Sequence, residues 1–184
     1  MLDLAANGAG ASESILAPGQ QPLTRAALAG LVLAARRELR EAGIGPNDTV
    51  AIVHRDGAAM AVVFLAVCGA ASAAPLNPAY KKEEVEFYLS DLRAKALVVE
   101  QGLETPARGV ARALGIAIIE VVADPKAPAG TVTFLVQDAA GPAVDDVPTD
   151  IADNVALILH TSGTTSRPKI VPLTHRNLLA SARN

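Results

Sequence analysis

Residues 49–76 read TVAIVHRDGAAMAVVFLAVCGAASAAPL. Thr49–Val53 is short, apolar and rich in β-branched residues, which predicts a strand. Gly57–Gly69 carries no charge and is apolar on every side, which predicts a buried helix. Ala71–Leu76 predicts a second strand, ended by Asn77-Pro78 because the residue before proline avoids the helical region. Two strands joined through a helix form a β-α-β unit, and that crossover joins parallel strands.

The same alternation continues outward. Upstream, residues 22–42 (PLTRAALAGLVLAARRELREA) predict an amphipathic helix. Thr24 stands where an N-cap belongs and Gly43 where a C-terminal glycine belongs. Leu28, Leu31, Val32, Ala35 and Leu39 share one face. Downstream, residues 81–92 predict a helix with Val85, Tyr88 and Leu89 inward, then Ala96–Val99 a strand, Thr105–Leu114 a helix and Ile116–Val122 a strand. The expected fold is α/β: a largely parallel sheet with helices on both faces. Residues 1–20 read as a flexible N-terminal segment and 21–184 as one α/β subdomain. Within it, 123–150 is a proline-rich connector around one strand-like piece, Thr131–Val136. Val155–His160 reads as a buried strand, 161–169 as a loop, and Thr174–Arg183 as the start of a helix. A chain stopping there is expected to be truncated.

Composition agrees and excludes some classes of function. The 184-residue chain is 51% hydrophobic but only 3% aromatic, so its core must be built from Ala, Val, Leu and Ile. Its net charge of −3, without any basic run, gives no electrostatic footprint for nucleic acid. The single cysteine, Cys68, makes no internal disulfide and suits a reducing compartment, so the cytoplasm is the expected setting. Residues 58–76 approach membrane-spanning length, but nearly half of them are Ala or Gly and they are broken by Ser72 and Pro75. No membrane span is expected.

The loop 161–169, Thr-Ser-Gly-Thr-Thr-Ser-Arg-Pro-Lys, carries the chemistry. Gly163 allows a backbone turn whose N–H groups approach an anion closely. The hydroxyls of Thr161, Ser162, Thr164 and Thr165 suit phosphate oxygens or a magnesium ion. Lys169 adds a compact positive charge, and Pro168 stiffens the chain before it. A solvated Ser/Thr-rich linker would not be expected between a buried strand and a helix start. The loop is not a Walker A motif, which needs Gly-Lys-Ser/Thr opening a helix.

The stretch ILHTSGTTSRPKIVPLTHRNL resembles the signature of the AMP-forming acyl- and aryl-CoA synthetases, luciferases and peptide-synthetase adenylation domains. Thr161, Ser162, Gly163, Thr164, Thr165, Pro168, Lys169, Val171, Thr174, His175 and Asn177 match that signature. His160 stands where Tyr is common, Ser166 where Gly is commonest, and Ile170 where Gly is usual. PLTRAALAGLV and residues 43–91 resemble the family's upstream pieces in order and spacing. The form TSGTTSRPKIVPLTHRNL resembles most the oxalate–CoA ligase branch.

The resemblance implies a carboxylate–CoA ligase that uses ATP to make an acyl-adenylate, releases pyrophosphate and transfers the acyl group to coenzyme A. It implies that Thr161, Ser162, Gly163, Thr164, Thr165, Ser166 and Lys169 hold the nucleotide phosphates, with Lys169 catalytic and Thr164 on Mg²⁺. ATP, a small carboxylic acid and coenzyme A are the implied partners. The fold is then the first subdomain of the adenylate-forming large domain. The adenine, ribose and acyl sites would lie beyond residue 184, so the isolated chain is expected to be inactive and to self-associate through its uncovered subdomain surface. The alternative is a stand-alone anion-binding or interaction domain. Of the remaining candidates, His54 and His175 read as structural, His160 as a residue able to touch nucleotide or acyl group, and Cys68 as a core thiol. Asp153-Asn154 reads as a turn, and Glu83, Glu84 and Glu86 as a solvated helix face.

Overall fold

A computed structural model describes residues 10–145, 152–161 and 168–183. The decisive stretch forms strand β3 (Thr49–Val53), helix α2 (Ala58–Ala70) and strand β4 (Ser72–Leu76), and β3 pairs with β4 in parallel. Before them come strands β1 (Glu13–Ile15) and β2 (Leu23–Thr24) and helix α1 (Arg25–Glu41). The Thr24 side chain accepts the Ala27 N–H at 3.2 Å, and Gly43 takes the left-handed φ of +86° that ends the helix.

After β4 come α3 (Lys82–Asp91), β5 (Ala96–Glu100), α4 (Ala107–Ala113), β6 (Ala117–Ala123) and β7 (Val132–Val136). The chain continues with β8 (Val155–Thr161), β9 (Lys169–Thr174) and α5 (His175–Arg183). The main sheet has seven strands in the order β7-β6-β5-β3-β4-β8-β9. Strands β6, β5, β3, β4 and β8 run parallel, and the two edges, β7 and β9, run antiparallel to their neighbours. From β3 the chain steps first to one side, to β4, and then back across to β5. Right-handed crossovers therefore put α2 and α3 on opposite faces.

Each face has its own core. One joins Val50, Ile52, Val98 and Ile119 to residues of α1 and α2; the other joins Val53, Leu97, Val99 and Ile118 to residues of α3 and α4. Small side chains let the layers close, as the aromatic-poor composition requires. A Cβ on Gly69 of α2 would come within 3.2 Å of Val32 on α1.

Three sequence expectations need correction. Residues 13–15 lie in the segment read as flexible, yet they form β1, antiparallel to β2, with Ile15 packed on the core. One anchoring apolar residue in a polar stretch leaves little periodic signal. Second, Lys169–Thr174 is a strand, so the loop joins two antiparallel strands instead of a strand and a helix. Pro172 disguised it, and proline is tolerated on an edge strand such as this one. Third, β8 is not a buried strand: Ala156 is buried, but Leu159 is 42% exposed. The connector, by contrast, is docked. Ala140 N–H donates to the Ala42 carbonyl, and Val144 N–H to that of Arg40, at the end of α1. Among the described residues no helix is long and apolar enough to cross a membrane.

Candidate phosphate-binding site

The parallel strands β3, β4, β5 and β8 end on one edge of the sheet, where ligands of open α/β sheets bind. Strands β8 and β9 form a hairpin there. Thr161 is paired with Lys169, His160 with Ile170 and Leu159 with Val171. The Lys169 N–H points to Thr161 Oγ1 at 3.4 Å, closing the stem. Both residues are exposed at its mouth, so a hydroxyl and an ammonium flank the loop from opposite strands. Ser162, Gly163, Thr164, Thr165 and Ser166 lie outside the described residues.

The exit from the hairpin is a reciprocal cap. Thr174 N–H donates to Asn177 Oδ1 at 2.9 Å, and Asn177 N–H donates to Thr174 Oγ1 at 3.2 Å. Two donors at the start of α5 are satisfied together, which gives the Thr-His-Arg-Asn segment a physical reason. Arg176 pairs with Asp153 at 2.9 Å, fastening α5 to the turn before β8. His175 lines a small pocket with Cys68 and Arg40, and burial lowers its pKa. Cys68 donates to the Ala156 carbonyl, and burial raises its thiol pKa to about 12, which makes it a core thiol.

His160 packs against α3. Its imidazole is only 8% exposed, with Nε2 3.0 Å from Asp91 Oδ2 and its ring edge-on to Tyr88 at 4.7 Å. Tyr88 stacks on Tyr80 at 4.9 Å, and burial, with the Tyr88 hydroxyl, raises the Tyr80 pKa to about 12. Tyr80, Tyr88 and Asp91 lie in the stretch 43–91 that resembles the family, but nothing in that stretch joins them to His160; Tyr88 reads from periodicity as an inward residue of α3.

A second polar group lies at the ends of β3 and β5. His54, read from the sequence as structural, is buried, and its Nδ1 lies 2.6 Å from the Arg55 carbonyl. Glu100 accepts the Arg55 N–H at 3.0 Å and the guanidinium Nε at 2.9 Å. The Arg55 side chain holds the Glu100 carboxyl below its usual value. These residues line an open cavity of about 310 Å³ beside Gln20, Asp124 and Thr131.

The sequence profile of the AMP-binding enzyme family matches residues 4–184. The chain belongs to the AMP-binding enzyme family. It is 43% identical to an oxalate–CoA ligase of Arabidopsis thaliana over 172 residues, covering 90% of this chain and 32% of that protein. An oxalate–CoA ligase of Saccharomyces cerevisiae is 37% identical, covering 75% of this chain and 29% of that protein. Apo MatB from Rhodopseudomonas palustris superposes with a TM-score of 0.75 at 24% identity, over 96% of this chain and 34% of its own. The chain thus spans about a third of the length of the relatives it matches.

Proposed function

We propose that this chain is the phosphate-gripping part of an ATP-dependent carboxylate–CoA ligase. The observation that carries the reading is the pairing of Thr161 with Lys169, the two ends of the loop read from the sequence, at the carboxyl edge of the parallel sheet. In the proposed reaction a substrate carboxylate oxygen attacks the α-phosphorus of ATP. The bond to the bridging oxygen breaks, and pyrophosphate leaves with its electron pair. The thiol of coenzyme A then attacks the acyl carbon and AMP departs. Thr161, Ser162, Gly163, Thr164, Thr165 and Ser166 would hold the β- and γ-phosphates, and Lys169 would neutralise charge developing on the leaving pyrophosphate.

The donors at the stem, a hydroxyl and an ammonium, fit an anionic phosphate tail. Among the described residues no group of three or more His, Cys, Asp or Glu is placed to hold a metal ion. Thr164 would hold Mg²⁺, and the ion would supply charge neutralisation on the phosphates. Similarity to oxalate–CoA ligases makes a short diacid, oxalate first, the acid to try. The lone thiol, Cys68, supports a cytoplasmic setting. A second reading rests on Leu159 and Ile170, 42% and 41% exposed on opposite faces of the hairpin: these apolar surfaces would drive self-association of the isolated chain, seen as a concentration-dependent mass by light scattering.

Acid-dependent ATP–pyrophosphate exchange tests the main reading. The full protein carrying this chain is expected to exchange with a short carboxylic acid present, and the isolated 184 residues are expected not to. Absence of exchange by the full protein with oxalate and a panel of other acids would overturn it.

A further inference from the structure

We propose that His160 and Asp91 are positioning residues that fix the stem of the phosphate loop against α3; this rests on the ligase reading above. Strand β8 pairs with β4 at one register position, Ala73 with Leu157, so ladder bonds to the body of the sheet are few beside this hairpin. Beyond Leu157, β8 keeps its ladder to β9, itself an unpaired edge. What ties this end to the second core is Ile158 and, one turn of the pleat further, His160.

The surroundings of His160 are built, not incidental. The chain has two tyrosines and three phenylalanines. Both tyrosines and Phe87 gather here: Tyr80 on Tyr88 at 4.9 Å, Phe87 on Tyr88 at 5.2 Å, and His160 on Tyr88 at 4.7 Å. Tyr80 belongs to the loop after β4, so the cluster joins the ends of both strands that border the site. Asp91 is the last residue of α3, where the helix dipole disfavours a carboxylate, and the last turn holds no basic residue. The His160 Nε2–H at 3.0 Å offsets that cost. Thr161, the next residue, accepts the Lys169 N–H, so the clamp stands one residue from the stem. Asp91 touches neither Thr161 nor Lys169, and it acts only through His160.

Asp91→Ala in the full protein provides the test, with two readouts. Amide hydrogen exchange at residues 160, 161, 169 and 170 is expected to speed up by about tenfold, the factor that 1.4 kcal/mol makes, while β3 and β5 keep wild-type rates. In ATP–pyrophosphate exchange well below the unfolding temperature, the MgATP KM is expected to rise about three- to tenfold, with kcat changed less. His160→Ala should do the same, the double variant should add little, and Asp91→Asn and His160→Gln, which keep a hydrogen bond, should recover part of the loss. Wild-type exchange rates in the hairpin of Asp91→Ala would overturn the proposal even if the protein proved not to be a ligase. So would an unchanged MgATP KM in a protein whose wild type is active, or faster exchange spread evenly over the whole sheet.

Discussion

A Cβ placed on Gly43 would lie 2.6 Å from the carbonyl oxygen of Gly141. Gly43 also has φ +86°, a left-handed backbone that side chains resist. The end of α1 and the connector meet through this missing atom. Gly43→Ala is expected to destabilise the protein by about 1–3 kcal/mol, combining backbone strain with overpacking. Gly30, exposed inside α1 with nothing near its Cβ position, gives the contrast. Gly30→Ala should stabilise by about 0.5–1 kcal/mol. Urea midpoints of the two variants should move in opposite directions, and a wild-type midpoint for Gly43→Ala would refute the close approach.

Cys68 gives a chemical readout of the same packing. Its thiol donates to the Ala156 carbonyl, and burial raises its pKa to about 12. Only the thiolate reacts with alkylating reagents, so the native protein should resist them near neutral pH and react fully once unfolded. Because Ala156 belongs to β8, rapid native labelling would mean that β8 does not seat on α2.

Stability should fall with acid in two stages. Burial lowers the His175 pKa, so the unfolded chain takes up a proton that the folded chain refuses; stability is lost as pH drops below the usual 6.5. The Arg55 side chain lowers the Glu100 pKa, so its contribution is present above 4.5 and is lost as pH falls below that value. Glu38, raised by burial and by Glu41, works in the opposite direction, so single variants are needed to separate the groups. His175→Asn should flatten the upper stage of a denaturation-midpoint profile and Glu100→Gln the lower one.

Legibility in the sequence followed the range of the causes. Thr24, Gly43 and strand β3 could be read because caps and buried runs are set by neighbours along the chain. Asn177 was marked only by the family signature, and its capping role three residues from Thr174 came from the structure. Strand β9 was not: Pro172 breaks its pattern, and only pairing with β8 makes it a strand. The Asp91–His160 pair spans 69 residues, and no local signal joins its two halves. The family signature located the loop, but its place between antiparallel strands came from the sheet, and residues 162–167 lie outside the described structure.

Lys169 carries the most direct test of the phosphate grip. It opens β9 opposite Thr161, its side chain is exposed, and it belongs to neither core. In the full protein, Lys169→Ala should therefore leave the thermal midpoint within a few degrees of wild type, as for other exposed positions. If Lys169 acts on charge that develops as pyrophosphate leaves, its removal should lower kcat more than it raises the ATP KM. One electrostatic group of this kind contributes roughly 2–4 kcal/mol to the barrier. Lys169→Arg should recover only part of the rate, because a planar fork does not occupy the place of a compact ammonium. Thr164→Ala should slow the same step by removing one hydroxyl from the loop. Wild-type kinetics in both Lys169→Ala and Thr164→Ala would mean that the hairpin loop does not hold the phosphates.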